Sequence, residues 1–198
     1  MDLLLIRHAE PVRMESAEGP VDPPLHERGW EQAGRLAQWL AVEPLDALVV
    51  SPLARARQTA LPLAEAVGLT PVVEDGVAEW DRESREYIPV EELKAAQDDR
   101  WRAMLDGSDF AEIDGEAFGA RVRASMSQII EANPGRRVAV FCHGGVINHY
   151  LCDVLGIAPR LFFEPRYTSI SRVAASRQGT RTVISLNETA HLRGLPGF

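Results

Sequence analysis

The sequence predicts an α/β fold, a three-layer α/β/α sandwich around a mostly parallel central sheet with an antiparallel edge strand. Short apolar runs typical of strands alternate with stretches of helical periodicity. The runs at 3–6 and 138–142 are apolar throughout, as in strands buried on both faces of a parallel sheet. Two late segments, 168–175 and 182–186, are joined by a turn near Gln178-Gly179 and predict a hairpin at the sheet edge.

The elements between these strands follow from periodicity and from helix end signals. Residues 25–40 carry an apolar stripe at helical spacing, and residues 45–50 form the next apolar run. Ser51, a favoured N-cap, and Pro52, favoured as a first helical residue, predict a helix that ends at Gly68. The other predicted elements are a strand at 71–73 and helices at 90–105, 115–132 and 145–155.

Length, composition and charge limit the possible functions. The chain has 198 residues and shows no repeat or linker, so we predict one domain, 1–198. The segment at about 77–118, which is irregular in pattern and rich in charged residues, is interpreted as a lid or substrate-specificity insertion. A formal charge of −8 argues against nucleic acid or an anionic membrane as the main partner. A site for an anion must therefore be a local cluster of arginines.

The sequence also predicts a cytoplasmic protein. No basic targeting region precedes the first strand, and no apolar stretch approaches the roughly 20 residues that span a bilayer. Cys142 and Cys152 lie in apolar surroundings and are interpreted as buried thiols rather than as a disulfide. The oligomeric state is left open, with a homodimer as one option.

Basic and imidazole side chains follow three of the predicted strands directly. Arg7 and His8 end the first strand, Arg55 lies about one turn into the helix after the second, and His143 follows the strand at 137–142. Open α/β sheets bind ligands at the carboxyl ends of their strands. The helix that begins at Gly144 adds backbone N–H groups and a positive dipole. We expect these groups to surround one phosphoryl group.

The residue types suit phosphoryl transfer. A neutral imidazole such as His8 is a competent nucleophile, and arginines stabilise the charge of the transition state. The leaving oxygen needs a proton, and a carboxylic acid kept protonated by burial or by nearby negative charge can supply it. Glu79, just after the third strand, is the candidate. The remaining histidines, His26, His149 and His191, are interpreted as structural.

Five stretches of the chain resemble motifs of the histidine phosphatase superfamily, also called the phosphoglycerate-mutase-like family. The first is Arg7-His8-Ala9, with Ala9 in place of the usual Gly, and the second is the segment from Ser51 to Thr59. The others are His143-Gly144-Gly145, the segment Asp22-Pro23-Pro24-Leu25 with Gly29 and Gln32, and Asn187-Glu188-Thr189-Ala190-His191-Leu192. Together they cover most of the chain in the family's order.

The resemblance implies a phosphohistidine on His8, a phosphate held by Arg7, Arg55 and His143, and Glu79 as proton donor and later activator of water. It implies no metal and no cofactor. After Glu79 the chain reads Trp80-Asp81-Arg82-Glu83, which departs from the family and keeps Asp81 and Glu83 as rival donors.

We therefore predict a phosphatase acting on a small-molecule phosphomonoester, because the chain is short for a mutase of this family. A primer-dependent phosphoglycerate mutase, a non-catalytic phosphate-binding module and a metal hydrolase using His8, His143 and a carboxylate are the alternatives.

Overall fold

A central sheet of six strands organises the computed structural model, which describes residues 1–106 and 115–195. The strands of this sheet and of a second, two-stranded sheet are β1 (Asp2–Arg7), β2 (Met14–Glu15), β3 (Ala47–Val50), β4 (Val72–Val73), β5 (Glu86–Tyr87), β6 (Arg137–Cys142), β7 (Ile170–Ala175) and β8 (Arg181–Glu188). The helices are α1 (Glu27–Leu40), α2 (Ala54–Val67), α3 (Val90–Ala95), α4 (Asp99–Asp106), α5 (Gly115–Ala132) and α6 (Gly144–Leu155). Short 3-10 helices cover Asp75–Val77, Trp80–Glu83 and Ala190–Leu192.

The central sheet has the strand order β4-β3-β6-β1-β7-β8. The first four strands are parallel, whereas β7 runs antiparallel to β1 and pairs with β8 as a hairpin. The predicted mostly parallel sheet with an antiparallel edge is confirmed. In the hairpin, β7 begins two residues later than predicted and ends at the predicted residue, whereas β8 extends beyond the predicted range at both ends.

Helices cover both faces of the sheet because successive side chains of a strand point to opposite sides. Leu4 and Ile6 of β1 pack with α1 and α2, where Leu36 and Leu63 are fully buried. Leu3 and Leu5 pack on the other face with α5 and α6. The result is the predicted three-layer α/β/α arrangement.

The parallel strands bring their carboxyl ends to one edge. Arg7 of β1 is aligned with Cys142 of β6, and Val50 of β3 is aligned with Phe141. The residues that follow these strands, among them His8, Ser51 and His143, therefore come together at this edge. This is where the sequence predicts the site.

The start of α2 differs from the prediction. The helix begins at Ala54, so neither Ser51 nor Pro52 lies within it. The Ala54 N–H donates to the Asp22 carboxylate, with N–O distances of 2.9 and 3.0 Å, so Asp22 caps the helix from the preceding loop. At the other end Gly68 adopts φ 68°, the left-handed conformation predicted for the residue that ends the helix.

The single helix predicted at 90–105 is wrong. Two short helices, α3 and α4, replace it, and Gln97 between them has φ 53°. A left-handed residue cannot continue an α-helix. A second small sheet, in which β2 pairs with β5, ties the loop after β1 to this region and was not predicted. Of the proposed insertion at 77–118, residues 107–114 lie outside the described residues.

Both cysteine thiols are free and buried. Cys142 lies in β6, and burial raises the pKa of its thiol. Cys152 lies in α6 and donates to the Arg160 carbonyl oxygen at 3.6 Å. The interpretation of the two residues as separate buried thiols is confirmed. Within the described ranges, no helix combines the length and the apolar character that crossing a membrane requires.

Candidate active site

Residues from distant parts of the chain line one cavity at the carboxyl edge of the sheet. The cavity has a volume of about 340 Å³, and Arg7, His8, Arg55 and Glu79 line it. The ring of His143, which is fully buried, lies 5.1 Å from the ring of His8 between centroids. The convergence expected from the sequence is therefore present in the structure.

The His8 ring is held in one tautomer. Its Nδ1 lies 2.8 Å from the carbonyl oxygen of Ala9, and because a carbonyl oxygen only accepts, Nδ1 carries the proton. The Ala9 N–H in turn donates to Thr59 Oγ1 at 2.8 Å, which fixes this turn against α2. Burial and the positive charges of Arg55 and Arg7 lower the pKa of His8 well below its ordinary value. The ring is thus neutral at physiological pH, and Nε2 keeps its lone pair.

Arg7 is fixed by one side of its guanidinium. Its Nη1 donates to the Pro165 carbonyl oxygen at 2.7 Å and to Glu91 at 3.0 Å. The guanidinium lies 4.0 Å from the centre of the Tyr167 ring, whose hydroxyl also donates to Glu91. Its Nε is buried and has no hydrogen-bond partner among the described residues. Arg7 thus keeps a buried donor free for a ligand.

Arg55 repeats this arrangement on the other side of the cavity. Its Nη2 donates to Asp81 at 2.7 Å, and its guanidinium lies 4.7 Å from the centre of the Tyr87 ring. Its Nε is also buried and unpaired within the part of the chain that the structure describes. Buried unpaired donors are rare in native proteins because each costs about 1–3 kcal/mol. Such donors on both arginines indicate a site built for an anion.

His143 supplies a third buried donor position. Its Nε2 lies 2.7 Å from Ser51 Oγ, while its Nδ1 is buried and unpaired in residues 1–106 and 115–195. Burial and the nearby Arg55 and His8 lower the pKa of His143 well below its usual range, so this ring is neutral as well. Ser51 Oγ also accepts the Leu53 N–H at 3.3 Å. Ser51, expected only to cap a helix, instead orients His143.

Glu79 is almost entirely buried, and its side chain lies against the first residues of α6. Its Oε2 accepts the Gly145 N–H at 2.8 Å, and its Oε1 accepts the Trp80 N–H at 3.2 Å. Burial and the charge of Asp81 raise the pKa of Glu79 to about 7, against the opposing effect of these two hydrogen bonds. A carboxyl group with this pKa can both donate and accept a proton near neutral pH.

The two rival carboxylates lie in different surroundings. Asp81 is engaged by Arg55, and 15% of its side chain is exposed. Glu83 has 78% of its side chain exposed and pairs with Arg82 at 3.5 Å. Glu79 is therefore the carboxyl group among the three that combines burial, a raised pKa and a place in the cavity wall.

The histidines interpreted as structural lie elsewhere. His26 precedes α1, where its Nδ1 accepts the Arg28 N–H at 3.2 Å. His149 packs edge-on against Phe118, and Nε2 of His191 lies 3.1 Å from Thr168 Oγ1. None of the three lines the cavity that contains His8.

Gly145 is required by the close approach of Glu79. A Cβ atom at this position would collide with Glu79 Oε1. We expect Gly145→Ala to lower kcat/KM for a phosphomonoester by about 10- to 100-fold, because small displacements of a catalytic group are costly. Gly34→Ala is the matched control, since a Cβ there meets nothing within 4 Å. Equal activity of the two variants, measured on folded protein, would show that the position of Glu79 does not matter.

Two residues at the site, Glu91 and Tyr167, were missed by sequence reasoning. Glu91 and Tyr167 bind or stack on Arg7, and Tyr87 lies over Arg55. Tyr87 lies within the lid or substrate-specificity insertion that the sequence predicts at about 77–118. Nothing in the local sequence around Glu91 or Tyr167 marks them, because their contacts join parts of the chain that are far apart.

Among residues 1–106 and 115–195, no three or more His, Cys, Asp or Glu side chains are arranged to hold a metal ion. Arg7 and Arg55 lie close enough to His8 and His143 to lower the pKa of both rings.

Comparison with known proteins places these observations in context. The model of the histidine phosphatase superfamily (branch 1) matches residues 3–189. Phosphoserine phosphatase 1 of Hydrogenobacter thermophilus is 32% identical over 96% of this chain and 93% of its own length. A probable phosphoglycerate mutase of Yersinia enterocolitica is 29% identical over 97% of this chain and 95% of its own length.

Solved structures show the same fold. A mutant phosphoserine phosphatase from Entamoeba histolytica, crystallised with phosphoserine, superposes with a TM-score of 0.75 at 24% identity, covering 96% of this chain and 98% of its own. A putative alpha-ribazole-5'-P phosphatase from Escherichia coli gives a TM-score of 0.73 at 23% identity, covering 95% and 97% of the two chains.

Proposed function

The chain belongs to the histidine phosphatase superfamily, and from this premise we propose that it hydrolyses phosphomonoesters without a metal through a phosphohistidine on His8. One observation carries the proposal. The unpaired buried nitrogens Arg7 Nε, Arg55 Nε and His143 Nδ1 belong to the residues grouped around a neutral His8. A dianionic phosphoryl group would satisfy such donors.

In the first step His8 Nε2 attacks phosphorus. The N–P bond forms as the ester P–O bond breaks, and the proton on Nδ1 stays with the ring, bound to the Ala9 carbonyl oxygen. Arg7 and Arg55 stabilise the charge on the equatorial oxygens. The Gly144 N–H, at the start of α6, adds the dipole of that helix.

His143 is proposed as a phosphate ligand rather than as a base. Ser51 Oγ can donate to His143 Nε2 while it accepts the Leu53 N–H. The neutral ring then carries its proton on Nδ1, the nitrogen without a partner, and donates it to a phosphate oxygen.

Glu79 is proposed to protonate the departing alkoxide. Its raised pKa keeps a large share of the carboxyl protonated near neutrality, and a bound phosphate dianion raises that share further. In the second step the resulting carboxylate takes a proton from water, whose oxygen attacks phosphorus and breaks the N–P bond. Phosphate leaves, and His8 and Glu79 return to their starting states.

The same geometry serves transfer to a second substrate, and relatives described as probable phosphoglycerate mutases favour that alternative. A mutase would depend on a bisphosphoglycerate primer and release little free phosphate. We propose the phosphatase because both the first curated relative described above and the solved structures are phosphatases. We also propose residues 77–118 as the substrate-specificity insertion, and the cytoplasm as the compartment.

The purified protein is expected to hydrolyse an aryl phosphate at an unchanged rate in excess EDTA. Vanadate, which mimics five-coordinate phosphorus, is expected to inhibit it competitively. Release of free phosphate is the measurement, with and without the bisphosphoglycerate primer. Loss of turnover in EDTA would favour a metal hydrolase, and phosphate binding without turnover on a broad panel of esters would favour a binding module.

A further inference from the structure

We propose that the leaving group of the substrate is an uncharged, largely apolar alcohol rather than a small carboxylated one. This inference rests on the proposed function and names the substrate class that the same cavity accepts. It depends on the part of the cavity beyond the phosphoryl site, which residues of α3, α4 and the adjoining loops form.

The outer wall of the cavity is mainly apolar. Beyond Arg7, His8, Arg55 and Glu79, the cavity is lined by side chains from residues 80–104, within the predicted insertion, and from the loop before β7. The apolar members are Trp80, Ile88, Val90, Leu93, Met104 and Leu161. The cavity volume of about 340 Å³ lies in the range of roughly 300–1,000 Å³ found for small-molecule sites. There is room for an alkyl or aryl group next to the phosphate.

The charged groups of the outer wall disfavour an anion. Glu86, Glu164 and Arg100 all line the cavity, and Lys94 binds Glu164 at 2.6 Å. Arg100 is held by Glu86 at 2.8 Å and by Asp98 at 2.9 Å. It therefore has little positive charge to offer a ligand.

The inner arginines are likewise committed. Arg7 is paired with Glu91, and Arg55 is paired with Asp81. In the proposed function, the remaining N–H donors of both arginines bind the phosphate dianion. A substrate carboxylate next to the ester would thus meet Glu86 and Glu164, while the cations beside them among the described residues, Arg100 and Lys94, are already paired with carboxylates. Like charges in a partly desolvated cavity repel one another. An apolar alcohol, by contrast, would cover the exposed apolar wall.

The test compares two esters with similar leaving groups, benzyl phosphate and 4-carboxybenzyl phosphate. We expect kcat/KM to be at least about tenfold higher for benzyl phosphate, with most of the difference in KM. Within a series of n-alkyl phosphates, kcat/KM should rise about two- to fourfold with each added methylene. 3-Phosphoglycerate and phosphoserine should be poorer substrates than hexyl phosphate.

Two variants place the preference in this wall. Leu161→Arg supplies a cation to the cavity and should reduce or reverse the preference between the two benzyl esters. Met104→Lys is the second variant if the first does not fold. Ile184→Arg, on the exposed face of β8 and outside the cavity, is the matched control and should leave the preference unchanged.

Binding measurements separate this inference from the proposed function. The His8→Ala protein should bind benzyl phosphate at least about tenfold more tightly than 4-carboxybenzyl phosphate in calorimetric titration, whether or not the native protein turns either over. Equal or tighter binding of the carboxylated ester, or its faster hydrolysis, would overturn the substrate class. Absence of hydrolysis of all esters, together with the expected binding preference, would overturn the proposed function alone.

Discussion

His8→Ala is expected to lower kcat/KM by about 10⁴-fold or more, because it removes the nucleophile that receives the phosphoryl group. The arginines remain in place, so the variant should still bind inorganic phosphate or vanadate. Acid-labile, base-stable phosphate should accumulate on the native protein after rapid quenching, and none should appear on the variant. Quench-flow with radiolabelled substrate measures both effects.

His26→Asn is the matched control for this experiment. His26 lies outside the cavity, and asparagine keeps a side-chain acceptor for the Arg28 N–H at the start of α1. Its activity should equal that of the native protein. A His8→Ala protein that keeps more than about a hundredth of the native activity would contradict the phosphohistidine mechanism.

Glu79→Gln is expected to lower kcat/KM by about 10²- to 10⁴-fold for an alkyl phosphate, which needs a protonated leaving group. The loss should be much smaller for an aryl phosphate with an acidic phenol, since its leaving group departs without a proton. Dephosphorylation should slow too, so phosphoenzyme should accumulate with the aryl substrate. The ratio of the two losses identifies Glu79 as a proton donor rather than a structural residue.

The pH dependence follows from the raised pKa of Glu79. Phosphorylation needs the protonated carboxyl, so kcat/KM for an alkyl ester should be high below pH 7 and fall as pH rises through about 7. The His8 ring stays neutral throughout this window because its pKa is well below the ordinary value. Hydrolysis of the phosphoenzyme needs the carboxylate and should accelerate over the same interval. Dividing by the Glu79→Gln profile removes the ionisation of the substrate itself.

Two further variants distinguish the rival carboxylates. Asp81→Asn removes a negative charge that helps raise the pKa of Glu79, so the fall in kcat/KM should move to lower pH. Glu83→Gln, at an exposed position, should leave the profile unchanged. A profile abolished by Glu83→Gln and unaffected by Glu79→Gln would transfer the acid role to Glu83.

The convergence of Arg7, His8, Arg55 and His143 was predictable from the sequence. Each lies at the end of a short apolar strand or soon after it, and parallel strands must present their carboxyl ends at one edge. The strands and helices of the layers were also predictable, because the spacing of apolar residues along the sequence directly reflects which side chains are buried.

The surroundings of those residues were not predictable in the same way. Asp22 caps α2 from 32 residues away, and Ser51 turns its hydroxyl to His143 instead. The break at Gln97 and the contacts of Glu91 and Tyr167 with Arg7 arise from packing between distant segments. Local sequence preference contains no information about such partners.

The two cysteine sulfurs of the protein are shut away from solvent and remain protonated, because burial raises the pKa of both thiols, and the proposed nucleophile is an imidazole. Peroxides and alkylating reagents attack exposed thiolates, and neither cysteine presents a thiolate at the surface of this protein. Catalysis through an imidazole would therefore not depend on the redox state of either cysteine.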